Sequence, residues 1–151
     1  MLTGRETRVG GLCALAFPRI AAALAAQLSS AVSAREVAPG TYVVIGKREY
    51  FTMANGGDIV NVAFVDTKDG AVVIDTGSSK RYGLALRQLV ERTIGKDIVR
   101  VYNTHHHPDH FLGNQAFDPG VIASTEQVTK NIDAEGEMLA ENLYRLLGDW
   151  M

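Results

Sequence analysis

The chain has 151 residues, 46% of them hydrophobic and 21% charged, with a formal net charge of -2. That length suits one domain with its own core, and no basic patch in the sequence points to nucleic acid. The one cysteine, Cys13, excludes a disulfide framework and a cysteine-based metal site.

Residues 1–34 read as an export leader. Arg5 and Arg8 give a positive start, apolar stretches 10–17 and 20–28 follow, and Ala31-Val32-Ser33-Ala34 supplies the small residues that a signal peptidase requires. Cleavage is expected after Ala34, with residues 35–151 released into the periplasm or outside the cell. Pro18-Arg19 interrupts the apolar core, so an uncleaved amphipathic anchor and a start codon set too early are the alternatives. No apolar run reaches the roughly 20 residues of a membrane-crossing helix.

Ala38-Pro39-Gly40 opens the remaining chain as a turn. Branched and aromatic residues make 41–45 a strand, followed by a polar loop over 46–58 whose flexible part is Asn55-Gly56-Gly57. Residues 59–65 form a second strand. The Asp69-Gly70 pair turns the chain into a third, 71–74, as a hairpin. This third strand is apolar on both faces, which predicts a central position covered on both sides. Asp75 ends it, and a carboxylate there needs polar partners. Ser78 or Ser79 caps a helix that places Tyr82, Ala85, Leu86, Leu89, Val90 and Ile94 on one face and stops at Gly95. Residues 98–102 return as a strand, so strand, helix and strand form a right-handed crossover unit with its binding positions at the strands' carboxyl ends.

All four histidines of the chain follow at once, in Thr104-His105-His106-His107-Pro108-Asp109-His110. If His105 and His107 continue the strand direction, their side chains point the same way, because side chains alternate along a strand. Pro108 holds His107 extended and ends the strand. The loop therefore offers two half-built sites, His105 with His107 and Asp109 with His110, in nitrogen and oxygen ligands that zinc, iron or manganese accepts. His106 points the other way and is read as solvent-facing or as a support to its neighbours. Beyond the loop, 111–116 reads as a helical turn broken by Asp118-Pro119-Gly120, and 121–123 as a short strand. From 125 a helix carries Val128, Ile132, Leu139, Leu143, Leu146 and Leu147 on one face, with Gly136 weakening its middle and a place for it to split. Trp150 is read as a packing residue.

The segment Thr104-His105-His106-His107-Pro108-Asp109-His110-Phe111-Leu112-Gly113 resembles the signature of the metallo-β-lactamase superfamily. Ala71-Val72-Val73-Ile74-Asp75-Thr76-Gly77 resembles that family's upstream strand ending in Asp-Thr-Gly. The resemblance covers roughly residues 40–125. Within the family, Asn55-Gly56-Gly57-Asp58-Ile59-Val60-Asn61 is similar to exported zinc metallohydrolases associated with periplasmic quinoprotein dehydrogenase systems. The resemblance implies an α/β fold, the first half of a four-layer αβ/βα sandwich. It implies one or two Zn2+ ions, His105 and His107 on the first, Asp109 and His110 on the second. Asp109 is then also catalytic, orienting a hydroxide and relaying its proton. Asp75 lies beneath the metal loop and ties it down without being a ligand. The loop over 46–58 overhangs the site, where Phe51 and Met53 either face substrate or, the preferred reading, pack a strand edge.

The implied activity is hydrolysis of a small-molecule ester, thioester, lactam or phosphoester. The family's later ligands, a third histidine, a bridging aspartate and a further histidine, have no counterpart here, since no histidine follows His110. The chain is therefore expected to be an N-terminal portion of the fold that binds metal weakly, turns over slowly or not at all, and exposes a sheet face open to pairing. The rival expectations are a mononuclear Fe2+ oxygenase of the same superfamily, such as the persulfide dioxygenases, a non-catalytic exported metal-binding module, and an inert truncated product.

Overall fold

The computed structural model describes residues 32–151. One six-stranded sheet runs in sequence order: β1 (Ala34–Ala38), β2 (Thr41–Val44), β3 (Val62–Thr67), β4 (Gly70–Ile74), β5 (Ile98–Tyr102) and β6 (Ile122–Ala123). The first four strands are antiparallel neighbours, whereas β4, β5 and β6 run parallel. The hairpin between β3 and β4 closes with Thr67 opposite Gly70. Gly70 takes a φ of 143° there and accepts the Thr67 hydroxyl on its carbonyl at 2.6 Å.

Helix α1 (Lys80–Ile94) carries the crossover from β4 to β5. Ser79 caps it by accepting the Tyr82 N–H at 3.1 Å, and Gly95 ends it in the left-handed conformation at φ 71°. Its buried face, Tyr82, Ala85, Leu86, Leu89 and Val90, shares one core with Val62, Phe64, Val73 and Val101 of the sheet. Cross-strand pairing aligns Phe64, Val73 and Val101 on a single face. Each fully buried aliphatic side chain of this kind contributes about 1.5–3 kcal/mol.

The helical elements that follow are short α2 (Pro108–Phe111), 3-10 turns over Leu112–Ala116 and Pro119–Val121, long α3 (Glu126–Leu147), and a last 3-10 turn over Gly148–Trp150. Phe111 and Leu112 pack with Leu143 and Leu147 of α3 in a second core, to which Trp150 is a partner, as it is to the first.

Several expectations change. The chain enters the sheet earlier than the turn at 38–40 implied: β1 already pairs Ala34 with Val44. The expected cut after Ala34 falls beside Val32, which is 3% exposed in the core, while the rest of the leader lies outside the described residues. The second strand starts at Val62 rather than at 59, because Asn61 turns its side-chain oxygen to the Gly46 N–H at 3.1 Å and Ile59 bonds back to Gly57. Strand β4 is central but, among the described residues, covered on one face only. On the other, Val43, Ala63, Val65, Val72 and Ile74 are half-buried and Tyr102 is exposed. Helix α3 runs unbroken through Gly136, which lies against the Phe111 ring, and Leu146 turns outward, 50% exposed.

Candidate metal centre

Strands β4 and β5 lie side by side and parallel, with Ile74 opposite Tyr102. Their carboxyl ends therefore emerge together, one delivering Asp75 and the other the histidine loop. The Asp75 N–H donates to the Tyr102 carbonyl at 2.8 Å, the last rung of the ladder. Asp75 then takes φ 64°, the only positive φ of a non-glycine residue among those described. Aspartate tolerates this left-handed conformation better than most residues. The turn buries the residue to 3% exposure and directs its carboxylate at the loop. Oδ1 accepts the Thr104 N–H at 2.8 Å, and Oδ2 accepts both the Thr104 hydroxyl and His110 Nδ1–H, each at 2.8 Å.

A second group of polar side chains holds the backbone of His110. Its carbonyl accepts from the Thr76 N–H at 2.9 Å and from Asn103 Nδ2 at 3.1 Å. Asn103, 5% exposed, forms a reciprocal amide pair with Asn114: Asn114 Nδ2 donates to Asn103 Oδ1 at 2.8 Å and Asn103 Nδ2 to Asn114 Oδ1 at 3.1 Å. The Thr76 hydroxyl donates to Asn114 Oδ1 at 2.9 Å. Thus His110 is held by its ring at Asp75 and by its carbonyl at Thr76 and Asn103. The sequence reading did not single out Asn103, Asn114 or Thr76. The available signal was an asparagine directly after an apolar strand, where a buried amide needs partners.

The loop is a bend rather than a continued strand, since β5 stops at Tyr102 and Asp75 captures Thr104 two residues on. His107 sits at φ -69°, ψ 142° and Pro108 begins α2. The imidazoles gather even so. The His105 ring centroid lies 4.6 Å from that of His107 and 4.0 Å from that of His110, and Asp109 Oδ2 is 3.5 Å from His110 Nε2. His106 turns away toward α3, with Nδ1 3.4 Å from Asn131 Nδ2 and Nε2 3.8 Å from Glu135 Oε2.

The two central rings are biased oppositely. Burial, then the neighbouring His110 and His107, lower the His105 pKa below the ordinary histidine value, against the pull of Asp75 and Asp109. For His110 burial also opposes the charged form, but the Asp75 hydrogen bond and the charges of Asp109 and Asp75 outweigh it and raise its pKa.

In kind, three imidazoles and a carboxylate on one loop fit zinc or iron. In arrangement they stop short. Among the described residues no group of three or more His, Cys, Asp or Glu converges on a point where an ion would sit. His107 is exposed, and its ring stands at 71° to that of His105, which stands at 49° to that of His110. Nearby, the 46–61 loop is fastened from below: the Ser78 hydroxyl donates to the Gly57 carbonyl at 2.5 Å and Trp150 Nε1 to the Met53 carbonyl at 2.8 Å. Phe51 packs on the second core, and Met53 is 63% exposed.

Residues 55–125 match the metallo-β-lactamase superfamily. No protein of curated function matches. Solved structures share the fold. The FIM-1 metallo-β-lactamase of Pseudomonas aeruginosa, in its mono-zinc form, is 19% identical with a TM-score of 0.58, covering 70% of this chain and 46% of that one. A metallo-β-lactamase of Hirschia baltica gives 19% and 0.58 over 70% and 48%, and one of Erythrobacter litoralis 21% and 0.57 over 70% and 46%. The chain thus spans about half the length of the structures it matches, and the likeness is one of fold.

Proposed function

We infer that this chain, which belongs to the metallo-β-lactamase superfamily, carries the histidine-bearing half of a metal-dependent hydrolase. The observation that carries the reading is the brace under the loop: one buried carboxylate, Asp75, accepts three hydrogen bonds from Thr104 and His110 and gathers His105, His107 and His110 beside Asp109.

His105 and His107 would hold one ion, and Asp109 with His110 a second. Zn2+ is the preferred occupant, and Fe2+ the alternative that the same donors accept. When bound, such an ion lowers the pKa of a coordinated water and polarises a carbonyl or phosphoryl oxygen. The remaining work falls to the chain. Asp109 orients a water molecule by accepting its hydrogen and passes that proton to the leaving group. Asp75 keeps the loop closed and His110 Nδ1 protonated. The substrate proposed is a small-molecule ester, thioester, lactam or phosphoester. For this chain by itself, weak metal binding and slow or absent turnover are proposed, in keeping with the unconverged rings and with His110 being the last histidine.

The test is calorimetric titration of the purified chain with zinc, beside metal analysis. Micromolar or weaker binding that His107→Ala abolishes supports the reading. Tight, two-ion binding would sink the weak-site proposal, and binding that survives His107→Ala would sink the site itself. Co-purified iron with oxygen uptake would favour the oxygenase reading. No helix among the described residues is long and apolar enough to cross a membrane. Export to the periplasm, proposed from the leader pattern, is checked by cell fractionation.

A further inference from the structure

Thr104 stands between Asp75 and His105. Its hydroxyl oxygen is 2.8 Å from Asp75 Oδ2 and 2.9 Å from His105 Nδ1, and its N–H already donates to Asp75 Oδ1. A hydroxyl has one proton to give, and an ionised carboxylate can only accept. The Thr104 proton is therefore committed to Asp75, and the oxygen meets His105 with lone pairs alone. His105 Nδ1 makes that 2.9 Å contact favourable only by carrying the hydrogen itself.

From this geometry we propose that Thr104 is a positioning residue: it relays the charge of Asp75 to His105 and holds that ring as the Nδ1–H tautomer, leaving Nε2 free to bind a ligand. Asp75 Oδ2 holds His110 in the same form directly, through Nδ1 at 2.8 Å. One carboxylate thus sets two imidazoles, the first by contact and the second through a hydroxyl. Fixing one ring nitrogen by a hydrogen bond is the general way a histidine's other nitrogen is made available to an ion. Thr104 is itself exposed, so core packing gives no separate reason for a threonine at this position. The purpose of the relay rests on the metal-site reading, but its test does not.

The experiment is long-range proton–nitrogen NMR of the histidine rings in the metal-free full chain, above the ordinary histidine pKa of about 6.5. The wild type should show His105 and His110 both protonated at Nδ1. Thr104→Val keeps the branched shape and the backbone bond to Asp75 but removes the hydroxyl. It should release His105 from the Nδ1–H form while His110 keeps it, and Thr104→Ser should show both rings as in the wild type. Zinc affinity should fall about 10–100-fold in the valine variant and recover in the serine variant. A wild-type His105 protonated at Nε2 overturns the proposal, as does an unchanged tautomer in Thr104→Val. Should the valine variant fail to fold, the wild-type and serine spectra decide. A changed tautomer beside unchanged zinc affinity upholds the relay and removes the metal reading instead.

Discussion

Asp75 and His110, 35 residues apart in sequence, meet through a 2.8 Å bond between Oδ2 and Nδ1. The contact ties the end of β4 to the far side of the histidine loop and makes the loop's shape depend on a residue outside it.

Replacing Asp75 by Asn keeps the size and the tolerance of positive φ but removes the charge. One side-chain amide then has to face the donors Thr104 N–H, Thr104 Oγ1–H and His110 Nδ1–H, so at least one donor loses its acceptor. Hydrogen bonds to charged groups are worth about 1.5–3 kcal/mol, and a loss of that order is expected in urea denaturation of the metal-free chain. A change below about 0.5 kcal/mol would contradict the brace.

The pH dependence of the metal-free chain follows from the two opposite shifts. His110 has its pKa raised, so its contribution is fully present below the unfolded value of about 6.5 and is lost as pH rises through the folded value. His105 has its pKa lowered, so its contribution is present above about 6.5 and is lost as pH falls through the folded value. The loop's share of stability is therefore greatest near the ordinary histidine pKa. Denaturation curves across this range should show His110→Gln removing the decline on the alkaline side and His105→Gln the histidine part of the decline on the acid side. Unaltered curves for both variants would refute this.

The Asn103–Asn114 amide pair predicts coupling. Asn103→Leu leaves Asn114 Nδ2 without its acceptor and withdraws a donor from the His110 carbonyl, at a cost of about 1–3 kcal/mol. Because the two side chains satisfy each other, the double variant should cost less than the sum of the singles. A double-mutant cycle by chemical denaturation should give an interaction energy of about 0.5–3 kcal/mol. Simple additivity would show that the pair is incidental.

Val32 concerns the leader. It is 3% exposed in the core, two residues before the expected cut. Val32→Ala should cost about 1.6 kcal/mol at ~0.8 kcal/mol per buried methylene. A chain starting at Arg35 should be less stable than one starting at Val32 by a similar amount. N-terminal sequencing of exported protein would show which form is made. Equal thermal stability of the two would mean that Val32 is dispensable.

The sequence was most readable where a local pattern is repeated or capped. Tyr82, Ala85, Leu86, Leu89 and Val90 with Ser79 and Gly95 define α1 by periodicity and punctuation. Thr67 to Gly70 defines a hairpin by its turn residues. The histidine run announced a loop of ligand-type side chains. Less readable was whatever depends on residues far away in the chain. Val72 and Ile74 are as apolar as a twice-covered strand requires, yet no layer of the described chain covers them. Gly136 looks like a helix breaker until Phe111, 25 positions earlier, is found against it. The side-chain partners of Asn103 come from α2 and the turn after it, and no spacing rule connects them. Strand β1 is hard to read in the sequence because its residues, Ala34–Ala38, are short, mostly exposed and directly abut the leader pattern.

The left-handed backbone at Asp75 also bears on which sequences this position can accept. Glycine, asparagine and aspartate enter that conformation readily, and of the three only aspartate brings a negative charge. Glutamate has the charge, but it pays the backbone strain and its longer arm overshoots Thr104. A saturation library at codon 75, selected for an intact loop, should therefore return almost nothing but the parental residue.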